Sequence, residues 1–287
     1  MSKDKPDIPV FIYQMGKVGS KTIEASLSYN NVPCLCMHTL TCDKIEEMKK
    51  REETNPAKSI DLQVSLSVRR LIDLTRGEMK HKVITLVREP VSRTISNVFQ
   101  NMHRFYPHLH GRTDINVVPE IIEILLKRFR GFNEKSDGSH WLNNEMKKVF
   151  GLDVFSVEFD RSADYRIYRA PDANILLIKL ERLFDCHKAA FNEFLGIENF
   201  CLINTNLGIQ KQYYPIYKQV KESISIPDEV LDRIYSSRLV RRFYNDKEIT
   251  DFKKKWSKKA VNMDLLEQLG DKFNLTKKIY SSVSTNK

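Results

Sequence analysis

Two kinds of apolar pattern alternate along this 287-residue chain. Short, nearly unbroken apolar runs at Val10–Tyr13, Lys82–Val87 and Asn174–Leu180 are what strands buried on both faces show. Between them, apolar residues recur every three or four positions, as on the buried side of a helix. Ile23 and Leu27 form one such stripe, Val91, Ile95, Val98, Phe99 and Met102 a second, and Ile121, Ile122, Leu125, Leu126 and Phe129 a third. A fourth carries Trp141, Leu142, Met146, Val149 and Phe150, with His140 and Glu145 off the stripe and facing solvent or a cleft. The alternation predicts an α/β fold, a parallel central sheet flanked by helices.

Punctuation refines the elements. Residues 32–38 read as a second strand, followed by a polar helix from about Asp43 to Glu53 that a loop at Asn55 and Pro56 ends. Residues 59–74 alternate first with period two and then with helical spacing, which predicts a short strand running into a helix. Pro90 suits the first turn of a helix, and Gly196 suits the end of one running from Arg182 to Leu195. Between 153 and 180 three strands are expected: DVFSVEF, YRIYRA and NILLIKL. The remaining third is helical and basic. Its stripes Tyr213, Tyr217, Val220, Ile224 and Leu231, Ile234, Tyr235, Leu239 read as core, and the run from Lys253 to Lys259 as a solvated helix face. One domain over residues 1–262 with a helical, frayed tail at 263–287 is the simplest division.

The first chemistry lies in VFIYQMGKVGSKTIEASLSY, residues 10–29: strand, glycine-bracketed turn, helix. Gly16 and Gly19 permit backbone conformations and close approaches that a side chain blocks. Ser20 or Thr22 is a candidate helix cap. Such a turn aims several N–H groups and the positive end of a helix at one point, where a phosphate or sulfate sits. Lys17 lies within it and Lys21 at its exit. The Walker A register GxxxxGK[ST] fails, since Met15 and Ser20 stand where its glycines belong. The strand ending at Val87 is followed by Arg88, a cation where a magnesium-holding acid would be expected. On the helix that follows, Ser96 can converge with Arg88 on one phosphate; alternatively, Arg88 pairs a carboxylate and Ser96 is solvated.

GKVGSKT resembles the 5′-phosphosulfate loop of the sulfotransferases, and LVREPVSRTISNVF resembles their 3′-phosphate motif, an arginine at a strand end with a serine eight residues on. The order of the two motifs, roughly seventy residues apart, is also similar. The stretches HWLNNEMKKVFGLDVF, ILLIKLERL and FYNDKEITDFKKKW resemble bacterial capsular polysaccharide synthesis proteins, a sulfotransferase-like group. The resemblance implies a P-loop-like sheet and transfer of a sulfuryl group from 3′-phosphoadenosine 5′-phosphosulfate (PAPS) to a carbohydrate hydroxyl, releasing 3′-phosphoadenosine 5′-phosphate (PAP), without a metal. It implies that Lys17 contacts the bridging oxygen and the transferring group, and that Val18, Gly19, Ser20, Lys21 and Thr22 hold the 5′-phosphate. Arg88 and Ser96 hold the 3′-phosphate, and Lys211 adds a late donor contact. Relatives often place a histidine or glutamate at a strand end beside the donor loop. His38 fits that place, either as the base or as a satisfied core histidine, whereas Gln63 stands where several relatives carry theirs.

Composition narrows the alternatives. Lys and Arg number 47 against 37 Asp and Glu, a net charge of +10, which favours anionic ligands. No nucleic-acid-binding signature accompanies it, so nucleic acid is not an expected partner. No apolar stretch reaches the ~20 residues of a membrane span, and no signal-peptide core precedes the first strand, so a cytoplasmic location is expected. Cys34, Cys36, Cys42, Cys186 and Cys201 make no disulfide framework. Cys34, Cys36 and His38 alternate as on one face of a strand and are read as two buried thiols and a histidine rather than a zinc cluster. Two other classes stay open: a non-catalytic module binding an anionic glycan, and a small-molecule kinase with a degenerate loop.

Overall fold

A computed structural model describes residues 8–52, 59–133, 135–204 and 211–257; the tail expected at 263–287 lies outside them, as do Lys258 and Lys259. The sheet has five strands, β1 (Val10–Tyr13), β2 (Cys34–Met37), β3 (His81–Val87), β4 (Tyr165–Arg169) and β5 (Ala173–Lys179), in the order β2-β1-β3-β5-β4. The first four in that order run parallel, with Ile12 beside Ile84 and Val83 beside Ile175, and β4 closes the edge antiparallel to β5. All four residues of β1 are buried, which requires cover on both faces.

That cover comes from helices. The chain leaves β1 into α1 (Ser20–Tyr29), and α2 (Cys42–Glu52) and α3 (Ser59–Leu74) follow β2. After β3 come α4 (Pro90–Gln100), α5 (Met102–Phe105) and α6 (Val118–Arg130). One continuous helix then opens as α7 (Ser139–Trp141), is wound as a π-helix over Leu142–Met146, and closes as α8 (Lys147–Phe150). After β5, α9 (Leu183–Leu195) ends at Gly196, in the left-handed conformation at φ 78°. The extension is α10 (Tyr214–Ser223), α11 (Asp228–Tyr235), α12 (Arg238–Phe243) and α13 (Asp246–Trp256).

Three expectations are corrected. Residues 59–74 form helix α3 throughout, because Leu62, Val68 and Ile72 are buried at helical spacing and the alternating Ile60 is exposed. DVFSVEF is a series of turns: the Asp153 carboxylate accepts the Phe155 N–H at 3.0 Å and the Asp153 carbonyl accepts those of Ser156 and Val157, which curls the backbone away from any ladder. Neither Ser20 nor Thr22 caps α1; the cap position belongs to Gly19, without a side-chain bond.

Polar groups buried between elements fix the joints. The Glu89 carboxylate, 1% exposed, caps α4 by accepting the Val91 and Ser92 N–H groups, each at 2.8 Å. It also accepts the Tyr235 hydroxyl at 3.0 Å and the Trp256 indole N–H at 3.1 Å, so α11 and α13 are fastened to the turn after β3. Glu181 accepts the Glu89 N–H at 2.9 Å and the Tyr244 hydroxyl at 2.8 Å. At the end of β5 the fully buried Lys179 ammonium meets Glu248 at 2.8 Å, and Glu248 in turn completes the capping box of α13.

Tyr235→Phe removes one donor from the Glu89 carboxylate with little change of shape and should cost about 1.5–3 kcal/mol, the range for hydrogen bonds to charged groups. Glu89→Ala strands two buried donors and removes the α4 cap, so it should cost more than Tyr235→Phe in urea denaturation; an equal or smaller loss would refute the fastening role of Glu89.

Candidate functional site

The strand order places a site before any side chain is considered. The chain steps from β1 outward to β2 and then crosses back over β1 to β3, so the connections leaving β1 and β3 depart in opposite senses. The crevice outside the carboxyl ends of two such strands is where open α/β sheets bind ligands. The turn after β1, residues 14–19, and the turn after β3 at Arg88 and Glu89 both open there.

The first turn is built to present backbone. Gly19 stands at φ 99°, and a Cβ there would lie 2.8 Å from Leu180 Cδ1, so only glycine fits. Lys17 adopts φ 73°, a left-handed conformation that costs a side-chain-bearing residue of order 1–3 kcal/mol. Val18 turns its side chain into the core. Among the described residues, the N–H groups of Val18, Gly19 and Ser20 meet no backbone acceptor, whereas Thr22 N–H already donates to the Gly19 carbonyl at 3.1 Å. Thr22 therefore departs from the expected phosphate contact through its N–H. The Lys21 ammonium is paired with Glu24 at 2.7 Å on the exposed side of α1.

Arg88 and Lys17 come together. Arg88 Nη1 donates to the Lys17 carbonyl at 3.0 Å, one of the five N–H donors a guanidinium carries. Lys17 extends along α4, where its ammonium donates to Gln100 Oε1. Burial, then the Arg88 guanidinium, then the Lys211 ammonium pull the Lys17 pKa down to about 8. Lys211, exposed just before α10, is thus close enough to be felt at Lys17. Ser96 is half-buried on α4, one turn beyond the buried Ser92. The cations that sequence reading assigned to separate segments share one electrostatic neighbourhood.

His38 lies one residue past β2, exposed, rather than within the strand. Its Nδ1 is 2.6 Å from the Gln14 carbonyl. A carbonyl only accepts, so Nδ1 carries the proton and the neutral ring keeps its lone pair on Nε2. The His38 carbonyl accepts the Trp141 indole N–H at 2.8 Å. The π-wound helix also supplies Glu145, which is buried, against the expectation that it faces solvent or a cleft. It accepts the Tyr13 hydroxyl, the Leu40 and Thr41 N–H groups at 2.9 and 3.1 Å, and the Thr41 hydroxyl at 2.9 Å. His38 is held between that anchored segment and β1. Cys34 and Cys36 are only half-buried, and burial pushes the Cys36 thiol up to about 11.

Beside the loop opens a cavity of about 550 Å³, lined on one side by Gly16 and Lys17, on another by Arg93, Thr94 and Asn97 of α4, and on a third by Arg128, Gly131, Phe132, Lys135 and Ser136. Arg93, Arg128 and Lys135 were not among the candidates read from the sequence. The spacing of Arg93, Asn97 and Gln100 at i, i+4 and i+7 was the legible clue to a polar stripe.

A family model whose description reads "putative capsular polysaccharide synthesis protein" matches residues 112–245, just under half of the 287-residue chain. The matched stretch contains Arg128, Lys135, Tyr235 and Tyr244 and lies outside the loop at 14–19 and Arg88. No curated protein and no solved structure matches the chain. No described helix is long and apolar enough to cross a membrane.

The Lys17 amine should react with an amine-selective aryl reagent along a pH curve centred near 8, followed at that residue by peptide mass spectrometry. Arg88→Gln removes a neighbouring positive charge and should move the midpoint upward. A midpoint above 10 in the unsubstituted protein would contradict the crowding of cations.

Proposed function

We propose that the protein transfers a sulfuryl group from PAPS to a hydroxyl of a carbohydrate acceptor in the synthesis of a surface polysaccharide. The observation that carries this reading is the bond between Arg88 and the Lys17 carbonyl, which joins a phosphate-type loop to a second anion-binding segment at the switch point of the sheet. The residues fit such a donor. The N–H groups of Val18, Gly19 and Ser20, which meet no backbone acceptor among the described residues, suit one phosphate, and the guanidinium of Arg88 suits another, with the Ser96 hydroxyl as a further donor on the same turn–helix unit. The similarity of residues 112–245 to a capsular polysaccharide synthesis family supports a saccharide acceptor.

The donor brings a labile S–O bond: on transfer that bond breaks with its electrons left on the 5′-phosphate, and a new S–O bond forms to the acceptor oxygen. Lys17, at the mouth of the loop, would place its ammonium where negative charge grows on the departing phosphate. Its lowered pKa makes it a ready proton-sharing partner at neutral pH while an arriving dianion restores its charge. His38 would take the acceptor proton at Nε2, the nitrogen its bond to Gln14 leaves open. Arg88 and Ser96 would orient the nucleotide and exclude donors that lack a 3′-phosphate.

Titration with PAP in the presence of a chelator tests the reading. Binding should be independent of divalent metal and tighter than that of adenosine 5′-phosphate, and Arg88→Ala should lower PAP affinity by about 10- to 100-fold, the value of a charged hydrogen bond. The same substitution should leave adenosine 5′-phosphosulfate binding nearly unchanged. His38→Ala should spare PAP affinity and reduce turnover by about 100-fold or more. Preference for ATP with magnesium would favour a kinase, and binding of neither nucleotide a glycan-binding module; either result overturns the proposal. At pH 8.5 the binding of PAP should take up a proton, because the free Lys17 amine is largely neutral there and the bound one is charged. Affinity should therefore fall as pH rises through 8, and Lys17→Met should abolish the uptake.

A further inference from the structure

The cavity beside Lys17 is more cationic than a donor site explains. Lys17, Arg93, Arg128 and Lys135 line it, and among the described residues none of the four forms an ion pair. Arg93 spends one Nη2 hydrogen on the Ser136 carbonyl, and its buried Nε has no partner. The Arg128 guanidinium lies over the rings of Phe105 and Tyr106, at 5.6 and 5.9 Å, and its Nε is likewise buried without a partner. Burial, and after it the Arg88 guanidinium, hold half-buried Arg93 below its ordinary value, with Asp137 and Tyr244 offsetting them in part. Fully buried Lys179 has Glu248 and half-buried Arg69 has Asp73 at 2.8 Å, although half-buried Arg242, like Arg93, meets a backbone carbonyl, that of Val154.

The wall is also held in place. Asp137 is fully buried and accepts the Ser139 N–H at 2.7 Å, the Ser139 hydroxyl at 2.6 Å and the Leu239 N–H at 3.2 Å, which ties the segment after α6 to the start of α12. Gly138 at φ 97° lets that segment close against Met15 of the loop, whose sulfur a Cβ there would meet at 2.7 Å. Phe132 gives the cavity an apolar floor, and Thr94, Asn97 and Ser136 supply neutral polar groups. Apolar floor, neutral donors and two guanidinium forks are the groups that bind a pyranose carrying a carboxylate.

We infer that this cavity is the acceptor subsite and that it selects a carboxylated sugar, a hexuronate residue of the acceptor glycan. The inference rests on the sulfuryl-transfer reading for the word acceptor, and on the cavity alone for the carboxylate. Arg88 and Ser96 are not among its lining residues, so donor and acceptor share only the Gly16–Lys17 edge. That edge is where the transferring group must lie if Lys17 serves both.

The test uses the full chain, a glucuronate-containing tetrasaccharide and its carboxyl-reduced counterpart, titrated calorimetrically at low salt with and without saturating PAP. The acidic tetrasaccharide should bind at least tenfold more tightly than the reduced one. Arg128→Gln and the exposed Lys135→Gln should each remove most of that preference while PAP affinity stays within twofold. Equal binding of the two tetrasaccharides, absence of binding by the acidic one, or variants that keep the preference would overturn the inference. So would loss of PAP affinity in both variants, which would assign the cavity to the donor. Because PAP is titrated separately, the two readings fail separately: PAP binding without acidic preference sinks only the carboxylate subsite, and acidic preference without PAP binding upholds the cavity and sinks the transfer reaction.

Discussion

The architecture depends on one buried carboxylate. Glu89 follows Arg88 directly, and its four donors come from the helix it caps and from two helices of the extension, α11 and α13. An acid taken out of water is tolerable only when its lone pairs are filled, and four donors fill them. The consequence reaches the site by one peptide bond: with Glu89 locked, the guanidinium beside it has little freedom except to lean on the Lys17 carbonyl. The C-terminal helices, which contribute no strand, thus help to fix where Arg88 stands. Glu181 and Tyr244 repeat the device one layer out.

The excess positive charge is distributed by the same logic. Many surface cations meet carboxylates: Lys253 meets Asp232 at 2.6 Å, Arg182 meets Asp164 at 2.9 Å, and Lys147 meets Asp153 at 2.8 Å. At the carboxyl ends of β1 and β3 they meet carbonyls, amides and aromatic faces instead. A cation bonded to a neutral acceptor keeps its field, so the crevice and the adjoining cavity are the places where an anion gains most. The depressed pKa of Lys17 reflects burial first and the field of Arg88 and Lys211 second.

The fold was legible where apolar runs were long and local. β3 and β5, each seven residues of nearly unbroken burial, and the Pro90 helix are all read correctly from pattern alone. Period fails over residues 59–74, because Leu62 and Val64 fit both a two-residue and a 3.6-residue repeat and the exposed Ile60 tips the reading toward a strand. It fails at DVFSVEF because Asp153 takes the backbone into turns by its own hydrogen bonds, a competition that hydrophobic pattern does not register. In the candidate site, Lys17 and Arg88 stood out because glycine and strand-end context mark them. Arg128, Lys135 and Glu145 did not, since their environment is made by segments far apart in sequence: Glu145 meets Tyr13 across 132 positions.

The two halves of the proposed site come from different parts of the chain. The loop after β1 and the turn after β3 carry local signals, yet both fall outside the stretch similar to the polysaccharide synthesis family. That stretch, residues 112–245, supplies the cavity wall from Arg128 to Ser136, the Asp137 tie to α12, and the tyrosines that hold Glu89 and Glu181. On the reading proposed above, the donor is met by backbone N–H groups of the loop together with Lys17, Arg88 and Ser96, and the acceptor by side chains of the cavity wall, so the joint between the two is the Gly16–Lys17 edge that both share.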